Sequence, residues 1–269
     1  MGLKRTNVRE IIVQALAADT GCEISDFEPD RFQVAELRPE RVDAPFRRRY
    51  DVSDPAFQAV TTGEGSVVCA SPQWLDVVRQ EYKGADRDGL FDQARLSAVN
   101  TIANMHEAML FGPFPRFVGI PDAVKLIPVP SGYRSEISDP SVAEDLDSEH
   151  WSHAVGRRTG ELRPLQAVAL TWQDDRLAGV ATLTEDSERL WQIGIDVDTR
   201  DRGVGIGAMM TAAIGLEALS NDALPYYGTT AANVTSMRTA LSAGFRPGWV
   251  EAFTRHDDLA SSGWLTTAE

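Results

Sequence analysis

The sequence predicts an α/β (α+β) protein whose mixed, mostly antiparallel central sheet is flanked by helices. Three strand-like runs joined by short polar turns lie between residues 163 and 198, which is typical of antiparallel strands. A helix opened by glycines follows, and strands and helices then alternate up to residue 256. The chain has 269 residues, 43% of them apolar, which is enough for an additional N-terminal α/β lobe.

The N-terminal lobe is predicted to cover residues 1–130. Helical spacing of apolar residues, short apolar runs and turn-forming prolines predict its elements. They are a helix over 7–18, a strand over 66–71, helices over 72–84 and 88–107, and one or two strands within 108–129, while 27–60 indicates no clear element. No motif in this lobe indicates a chemistry. The turn-forming stretch 130–140 (PSGYRSEISDP) predicts a boundary, with a second domain over 131–269.

The second domain is predicted to have the order α, β, β, β, α, β, α, β from residue 140 onward. Its first segment carries six carboxylates and no Lys or Arg between Glu136 and Glu149. These acids are typical of a solvated helix face, and the alternative is a segment that attracts a positively charged acceptor. Further on, Asn233 is a good N-cap and Gly244 a good stop for a short helix, and a final strand begins at Phe245.

The net charge of −14 argues against a nucleic-acid partner, because phosphate binding requires clustered Lys and Arg. Solubility alone accounts for the acidity, which also suits a cationic substrate. Cys22 and Cys69 have neither CxxC nor zinc-ligand spacing, so both are predicted to be reduced and structural in a cytoplasmic protein. No run of about 18 apolar residues is present, and no membrane association is expected.

The stretch Thr199–Met210 (TRDRGVGIGAMM) places three glycines at the start of a predicted helix. It is not a Walker P-loop, because no Lys follows the glycines. Gly203, Gly205 and Ala208 fit the letters of a dinucleotide-binding fingerprint, but a meander precedes them where that fold needs a βαβ unit. A third interpretation is that the glycines let backbone N–H groups approach a pyrophosphate at the positive end of the helix dipole.

Further residues extend this third interpretation. Arg202, Gly205 and Gly207 are spaced as R-x-x-G-x-G at the mouth of a helix, Asn233 is followed by Ser236, and the next helix ends in Gly-Phe. With the preceding meander, this combination resembles the acyl-CoA-binding core of the GNAT superfamily of N-acetyltransferases. The resemblance extends roughly from residue 140 to 257. The N-terminal lobe is hypothesised to be a degenerate unit of the same kind, although it lacks the glycine signature.

The resemblance implies acetyl-CoA as co-substrate and indicates which residues contact it. The backbone of Ile195 and Val197 would pair with pantetheine, and the Asn233 side chain would touch pantetheine or the acetyl-bearing arm. Arg238 would reach a CoA phosphate. The pyrophosphate would be bound by the backbone amides of Arg202, Gly203, Val204, Gly205, Ile206, Gly207 and Ala208.

One departure from the family concerns the proton donor. Ala240 stands where many members have a Tyr that protonates the leaving thiolate. Water or another residue would then serve, Ser236 would substitute, or the chain would bind acyl-CoA without transferring the acyl group. Tyr227, on the preceding strand, is expected to pack in the core.

The general base is predicted among polar residues near the strand that leads into the glycines. Asp196 is the first choice, because the resemblance places a strand splay near it, and Glu188 is a further candidate. The alternative interpretation of Asp196 is an outward-facing strand residue in water. His150 and His153 are three residues apart and are expected to form a surface pair, so no metal site is expected.

Three functional hypotheses follow. The first is an acetyl-CoA-dependent N-acetyltransferase that moves an acyl group to a primary amine by direct attack in a ternary complex. The second, motivated by Ala240, is a non-catalytic acyl-CoA-binding or interaction module, and a nicotinamide-dependent enzyme is a third hypothesis. The expected partner is a small-molecule amine, for which the acidity favours a cationic one; the sequence assigns no oligomeric state.

Overall fold

The structure is a computed structural model that describes residues 3–49, 55–155 and 163–256. The α-helices are α1 (Val8–Thr20), α2 (Leu75–Glu81), α3 (Gln93–Asn104), α4 (Ile206–Ser220) and α5 (Val234–Ser242). The β-strands are β1 (Phe32–Glu36), β2 (Phe57–Thr61), β3 (Ser66–Ala70), β4 (Ala108–Gly119), β5 (Tyr133–Ser138), β6 (Leu165–Gln173), β7 (Arg176–Ser187), β8 (Leu190–Val197), β9 (Leu224–Gly228) and β10 (Phe245–His256). Across the described ranges, no helix combines the length and the apolar character that crossing a membrane requires.

The chain forms two compact units. The first comprises residues 1–12 and 116–248, and the second comprises 13–115 and 249–269. The chain passes from one unit to the other inside α1, β4 and β10. The predicted division at residue 130 stays a prediction, and residues 257–269 of the predicted second domain lie outside the described part of the chain.

The first unit contains a mixed sheet with the strand order β4-β9-β8-β7-β6-β5. Neighbours from β5 to β8 are antiparallel, β9 is parallel to β8, and β4 is antiparallel to β9. The predicted meander of three strands is therefore confirmed as β6, β7 and β8. The predicted fold class, a mostly antiparallel sheet flanked by helices, is confirmed with it.

Different segments pack on the two faces of this sheet. Side chains alternate along each strand, so neighbouring residues belong to different clusters. Ala181 and Leu183 on β7 belong to the buried cluster that includes α4. Val180 belongs instead to a cluster formed with Trp151 and its neighbours. The segment 140–155 therefore packs on the face opposite α4, and its His153 and Ala154 also donate hydrogen bonds to Asp196 on β8.

Some elements differ from those predicted. The segment expected to be a helix at 140 begins as a 3-10 helix, Pro140–Asp145, capped by Asp139. β5 lies in the stretch that the sequence predicts to be a turn. This strand is at the end of the strand order and is half exposed, so its alternation of apolar residues is weak. Its Pro and Gly neighbours therefore favour the prediction of a turn over that of a strand. β4 is a single strand that ends at Gly119.

The second unit contains strands in the order β1-β3-β2-β10, with β1 parallel to β3 and the other pairs antiparallel. β3 confirms the predicted strand, and α2 and α3 confirm two predicted helices with shorter bounds. Phe57, Val68, Val78 and Val99 pack in one buried cluster that joins these strands and helices. β1 and β2 lie in the segment where the sequence indicates no clear element.

A buried ionic network holds the second unit together. Arg48 is 1% exposed and donates through Nη1 and Nη2 to both carboxylate oxygens of Glu251, at 3.0 and 2.7 Å. Its Nε donates to Asp19 at 2.5 Å. The guanidinium thus ties the end of α1 to β10, and removing it would take from two buried carboxylates the cation that bonds to both of them.

We therefore expect Arg48→Met to lower the free energy of unfolding by about 3–5 kcal/mol. Chemical denaturation followed by circular dichroism measures the change. Arg41→Met is the matched control, because Arg41 pairs with Asp43 in solvent, with side chains 86% and 65% exposed. Equal midpoints for the two variants would show that the network contributes nothing.

Candidate functional site

β8 and β9 part after Ile193. The two strands pair in parallel from Leu190 to Ile193, which stands opposite Tyr227. β7 continues to pair with β8 as far as Val197. Within the described ranges, residues 194–197 of β8 therefore have a strand partner on one side only. This open edge of β8 lies where the resemblance implies a splay, near Asp196.

The open edge presents the backbone of Ile195 and Val197. The N–H of Asp198 donates to the carbonyl of Ala178 on β7 at 2.9 Å. Since alternate residues direct their backbone groups to the same side of a strand, those of Ile195 and Val197 point away from β7. These are the two residues predicted to pair with pantetheine. The Val197 carbonyl accepts from Nε of Arg202 at 3.3 Å.

The glycine loop, residues 202–208, follows this strand and opens α4. Gly203 and Gly205 have φ of +86° and +98°, in the region that favours glycine. No atom lies within 4 Å of the place a Cβ would take at either residue. Gly205 is the N-cap of α4 and brings no capping side chain to the first turn. The residues predicted to bind a pyrophosphate thus form an open helix N-terminus that suits a negative charge.

Two buried carboxylates support the loop. Asp198 accepts from N, Nε and Nη2 of Arg200 at 3.0, 3.0 and 2.8 Å. Asp201 accepts from Nη1 of Arg176 at 2.7 Å and from the Tyr133 hydroxyl at 2.9 Å. Hydrogen bonds from Arg200 hold the pKa of Asp198 well below its usual range, and those from Arg176 lower the pKa of Asp201. No local sequence signal indicates these supports, because Tyr133 and Arg176 lie far from the loop along the chain.

Asp196 lies on the open part of β8, and its carboxylate is engaged. One oxygen accepts from the N–H groups of His153 and Ala154, at 2.7 and 2.9 Å, and the other lies 2.9 Å from Nδ1 of His153. The hydrogen bond with Asp196 raises the pKa of His153. His153 thus pairs with Asp196, while Nε2 of His150 lies 3.7 Å from Asp198.

The turn that carries His153, residues 151–155, is fixed to the sheet. Trp151 and Val155 are buried among side chains of β6 and β7, and the Thr182 hydroxyl donates to the carbonyl of Ala154. At Gly194 on β8, a Cβ would lie 2.4 Å from the carbonyl oxygen of His153. The close approach of the turn to β8 therefore requires glycine at this position.

Asn233 is the N-cap of α5, as predicted. Oδ1 of Asn233 accepts from the N–H of Ser236 at 3.0 Å, so the carbonyl end of the side chain caps the helix. The exposed Nδ2 group is the part left for a ligand. On the next turn, Thr239 approaches α4, where a Cβ at Gly207 would lie 3.3 Å from Cγ2 of Thr239.

Tyr227 brings a phenol to the same face of α5. It is 4% exposed, its hydroxyl lies close to the Ser236 side chain, and burial raises its pKa while Ser236 lowers it. Ala240 follows Ser236 by one helical turn, so the two share a face, and Ala240 is buried in the same cluster as Tyr227. The expected packing role of Tyr227 omitted this hydroxyl contact, which no local sequence signal reveals.

Two predicted residues lie apart from these groups. Glu188 is exposed in the turn between β7 and β8, eight residues from Asp196, which corresponds to about 25 Å along a strand. Arg238 is exposed on α5. Among the described residues, no group of three or more His, Cys, Asp or Glu side chains is arranged to hold a metal ion.

Comparisons with known proteins give a likeness to solved structures only. No protein-family model matches the sequence, and no curated protein matches it. Solved structures described as GNAT N-acetyltransferases are among those similar to the chain.

The similar structures share little sequence with the chain. A GCN5-related N-acetyltransferase from Kribbella flavida is 15% identical, with a TM-score of 0.44, over 57% of this chain and 61% of that one. A GCN5-related N-acetyltransferase-like protein from Streptococcus suis is 14% identical, with a TM-score of 0.45, over 61% and 68%. A tandem GNAT protein from the clavulanic acid biosynthesis pathway is 13% identical, with a TM-score of 0.43, over 94% and 97%. The chain thus spans about three fifths of the Kribbella protein.

The lowered pKa of Asp198 predicts a pH-dependent stability. Because its folded-state pKa lies below the unfolded value, the ionised carboxylate stabilises the fold above about pH 4, and this contribution is lost as the pH falls further. Asp198→Asn should therefore lower the unfolding midpoint at pH 7 more than at pH 3. Urea titrations at the two pH values measure this, with the exposed turn variant Asp175→Asn as control. A deficit of the same size at both pH values would contradict the assignment.

Proposed function

We propose that this protein is an N-acetyltransferase that moves an acetyl group from acetyl-CoA to a primary amine. The observation that carries the proposal is that the open edge of β8 leads, through one 3-10 turn at Thr199–Asp201, into the glycine loop. A strand edge offers backbone partners to an amide-bearing arm, and the helix N-terminus beside it suits a pyrophosphate. CoA combines such an arm and a pyrophosphate in one molecule.

The residues of the site fit acetyl-CoA. Ile195 and Val197 offer backbone groups that point away from β7. The positive φ of Gly203 and Gly205, with open space where each Cβ would be, leaves room for a phosphate close to the loop. Arg202 is exposed beside it and suits a negative charge. Acetyl-CoA would supply an acetyl group activated as a thioester.

Direct transfer in a ternary complex is supported by the position of the thiols. Cys22 and Cys69 both belong to the second compact unit, whereas the proposed site lies in the first. The unit that carries the proposed site therefore contains no cysteine of its own that could hold the acetyl group covalently. The amine would attack directly, held near the thioester by the surrounding residues.

Tyr227 is the proton donor that we propose in place of the missing Tyr at Ala240. The phenol is protonated at neutral pH, burial raises its pKa, and its hydroxyl lies close to Ser236 on the α5 face that also carries Ala240. Tyr227 stands opposite Ile193, where the two strands part. A general acid at this point would protonate the departing thiolate.

The acceptor that we propose is a small cationic amine. The net charge of −14 favours the approach of cations, and Asp196 lies on the open part of β8. The second candidate function is a non-catalytic acyl-CoA-binding module, which Ala240 favours. Turnover decides between the two, because both bind CoA and only the enzyme releases a thiol from acetyl-CoA when an amine is added.

We expect the protein to bind CoA, as measured by titration calorimetry, and to release CoA thiol with at least one amine. The panel comprises spermidine, kanamycin and free amino acids. Binding without release for every amine would favour the module. Absence of CoA binding would overturn the proposed function.

Gly203→Val should weaken CoA binding by about 10–100-fold, the effect of losing one hydrogen bond to a charged group. A side chain there would fill the space left for the phosphate and strain the loop. Gly63→Val is a matched control, because Gly63 has φ of +84° and equally open surroundings in the turn between β2 and β3. CoA affinities that fall equally in both variants would point to strain alone.

Tyr227→Phe should lower kcat by about 100-fold or more and leave CoA affinity unchanged. The variant removes only the hydroxyl, so the packing of the ring in its cluster is kept. Tyr226→Phe is the control, because that phenol donates to Asp186 and does not contact Ser236 in the described structure. If Tyr227→Phe kept the wild-type kcat, Tyr227 would not be the general acid, and water would be the better candidate to protonate the thiolate.

A further inference from the structure

The carboxylate of Asp196 serves the turn that faces it. Two backbone N–H groups and Nδ1 of His153 occupy its two oxygens, and its side chain is 19% exposed. Both oxygens are therefore engaged by the turn that carries His153. In this arrangement Asp196 is a positioning residue for its neighbour.

His153 is the group that Asp196 positions. An ionised carboxylate can only accept, so Nδ1 must carry the hydrogen of the bond between them. Nε2 of the neutral ring is then left with its lone pair and without a proton. The His153 side chain is 70% exposed, so this nitrogen is open to solutes. Histidine with a carboxylate behind it is a general arrangement for accepting a proton near neutral pH.

His153 also lies beside the proposed acetyl-CoA site. Its carbonyl oxygen touches β8 at Gly194, where the open edge begins. The charge of Arg202 in the glycine loop is close enough to act on its ring. A base here would stand next to the strand edge that holds the arm and the loop that holds the pyrophosphate.

We propose that His153, oriented by Asp196, is the general base that takes the proton from the acceptor amine. The inference rests on the proposed acetyl transfer and adds a catalytic residue to it. The face of the sheet that carries the 151–155 turn, opposite α4, is then the side from which the amine enters.

The proton balance of the step is closed. The attacking nitrogen reacts in its neutral form, so a cationic amine first loses one proton to solvent. This nitrogen forms a bond to the acetyl carbon while one of its remaining protons passes to Nε2 of His153. The bond from that carbon to sulfur breaks, and its electron pair stays on sulfur, which takes a proton from Tyr227. His153 then loses its proton to solvent and Tyr227 regains one, so the amide and the free thiol are the only products.

The charges around His153 set the pH at which this base works. The hydrogen bond and the charge of Asp196 on β8 raise its pKa, whereas partial burial and Arg202 in the loop lower it. His150 on the same segment lies towards Asp198. Asp196 is thus the main group that raises the pKa, and its removal should shift the titration of His153 to lower pH.

The first test is spectroscopic and needs no turnover. In the full-length protein, NMR titration of the histidine ring signals, assigned by comparison with His153→Gln, gives the pKa of His153. We expect a pKa above the ordinary value in the wild type and a shift to lower pH in Asp196→Asn. An unchanged pKa in Asp196→Asn would overturn the positioning of His153 by Asp196.

The second test is kinetic and uses the panel amine that releases thiol fastest. We expect kcat/KM of the wild type to rise with pH through the pKa of His153. His153→Gln should lose this rise and lower kcat by about 10²–10⁴-fold, with unchanged CoA affinity. Asp196→Asn should move the rise to lower pH, and His150→Gln should match the wild type.

The outcomes separate this inference from the proposed function. Wild-type protein that releases no thiol with any amine defeats both. Thiol release with an unchanged pH profile and rate in His153→Gln defeats the inference alone. A loss of rate shared equally by His150→Gln would show a general disturbance of the segment and would also overturn the specific role of His153.

Discussion

The arrangement of the candidate site depends on the point at which β8 stops pairing with β9. A strand edge that leaves its ladder exposes N–H and C=O groups that need other partners. β8 keeps its strand conformation beyond Ile193 because β7 pairs with it up to Val197, and because the turn at 151–155 and the glycine loop bond to its last residues. The exposed groups are therefore held in place before any ligand arrives, which lowers the entropy cost of binding.

The elements that could be predicted from the sequence are those whose sequence signals lie within the element itself. The meander has alternating apolar residues and short polar turns, and α5 has its N-cap and its glycine stop within one short segment. β5 was missed, because it is half exposed and flanked by Pro and Gly, so neither alternation nor composition indicates a strand. Its pairing with β6 supplies the stability that its sequence lacks, and such tertiary support is invisible in a local pattern.

The candidate site divides in the same way. Gly203 and Gly205 could be predicted because both belong to one short, continuous sequence motif. The Asp196–His153 pair joins residues 43 positions apart, and the contact of Tyr227 with Ser236 joins a strand to a helix. Spacing along the chain predicts neither contact, because each depends on how the 151–155 turn or α5 packs against the sheet. Asp196 could be singled out by its place near the splay, whereas its partner could not.

The closeness of the 151–155 turn to β8 has a consequence for how the site can change. Gly194 acts as a spacer through what it lacks, since the main chain of His153 fills the volume that a methyl group would need. Any other residue would push the main chain of His153 away from β8 while leaving the side chains of His153 and Asp196 unchanged. The distance between the 151–155 turn and β8 is thus set by a residue that has no functional group. Gly194 would not be recognised as important from the chemistry of its side chain.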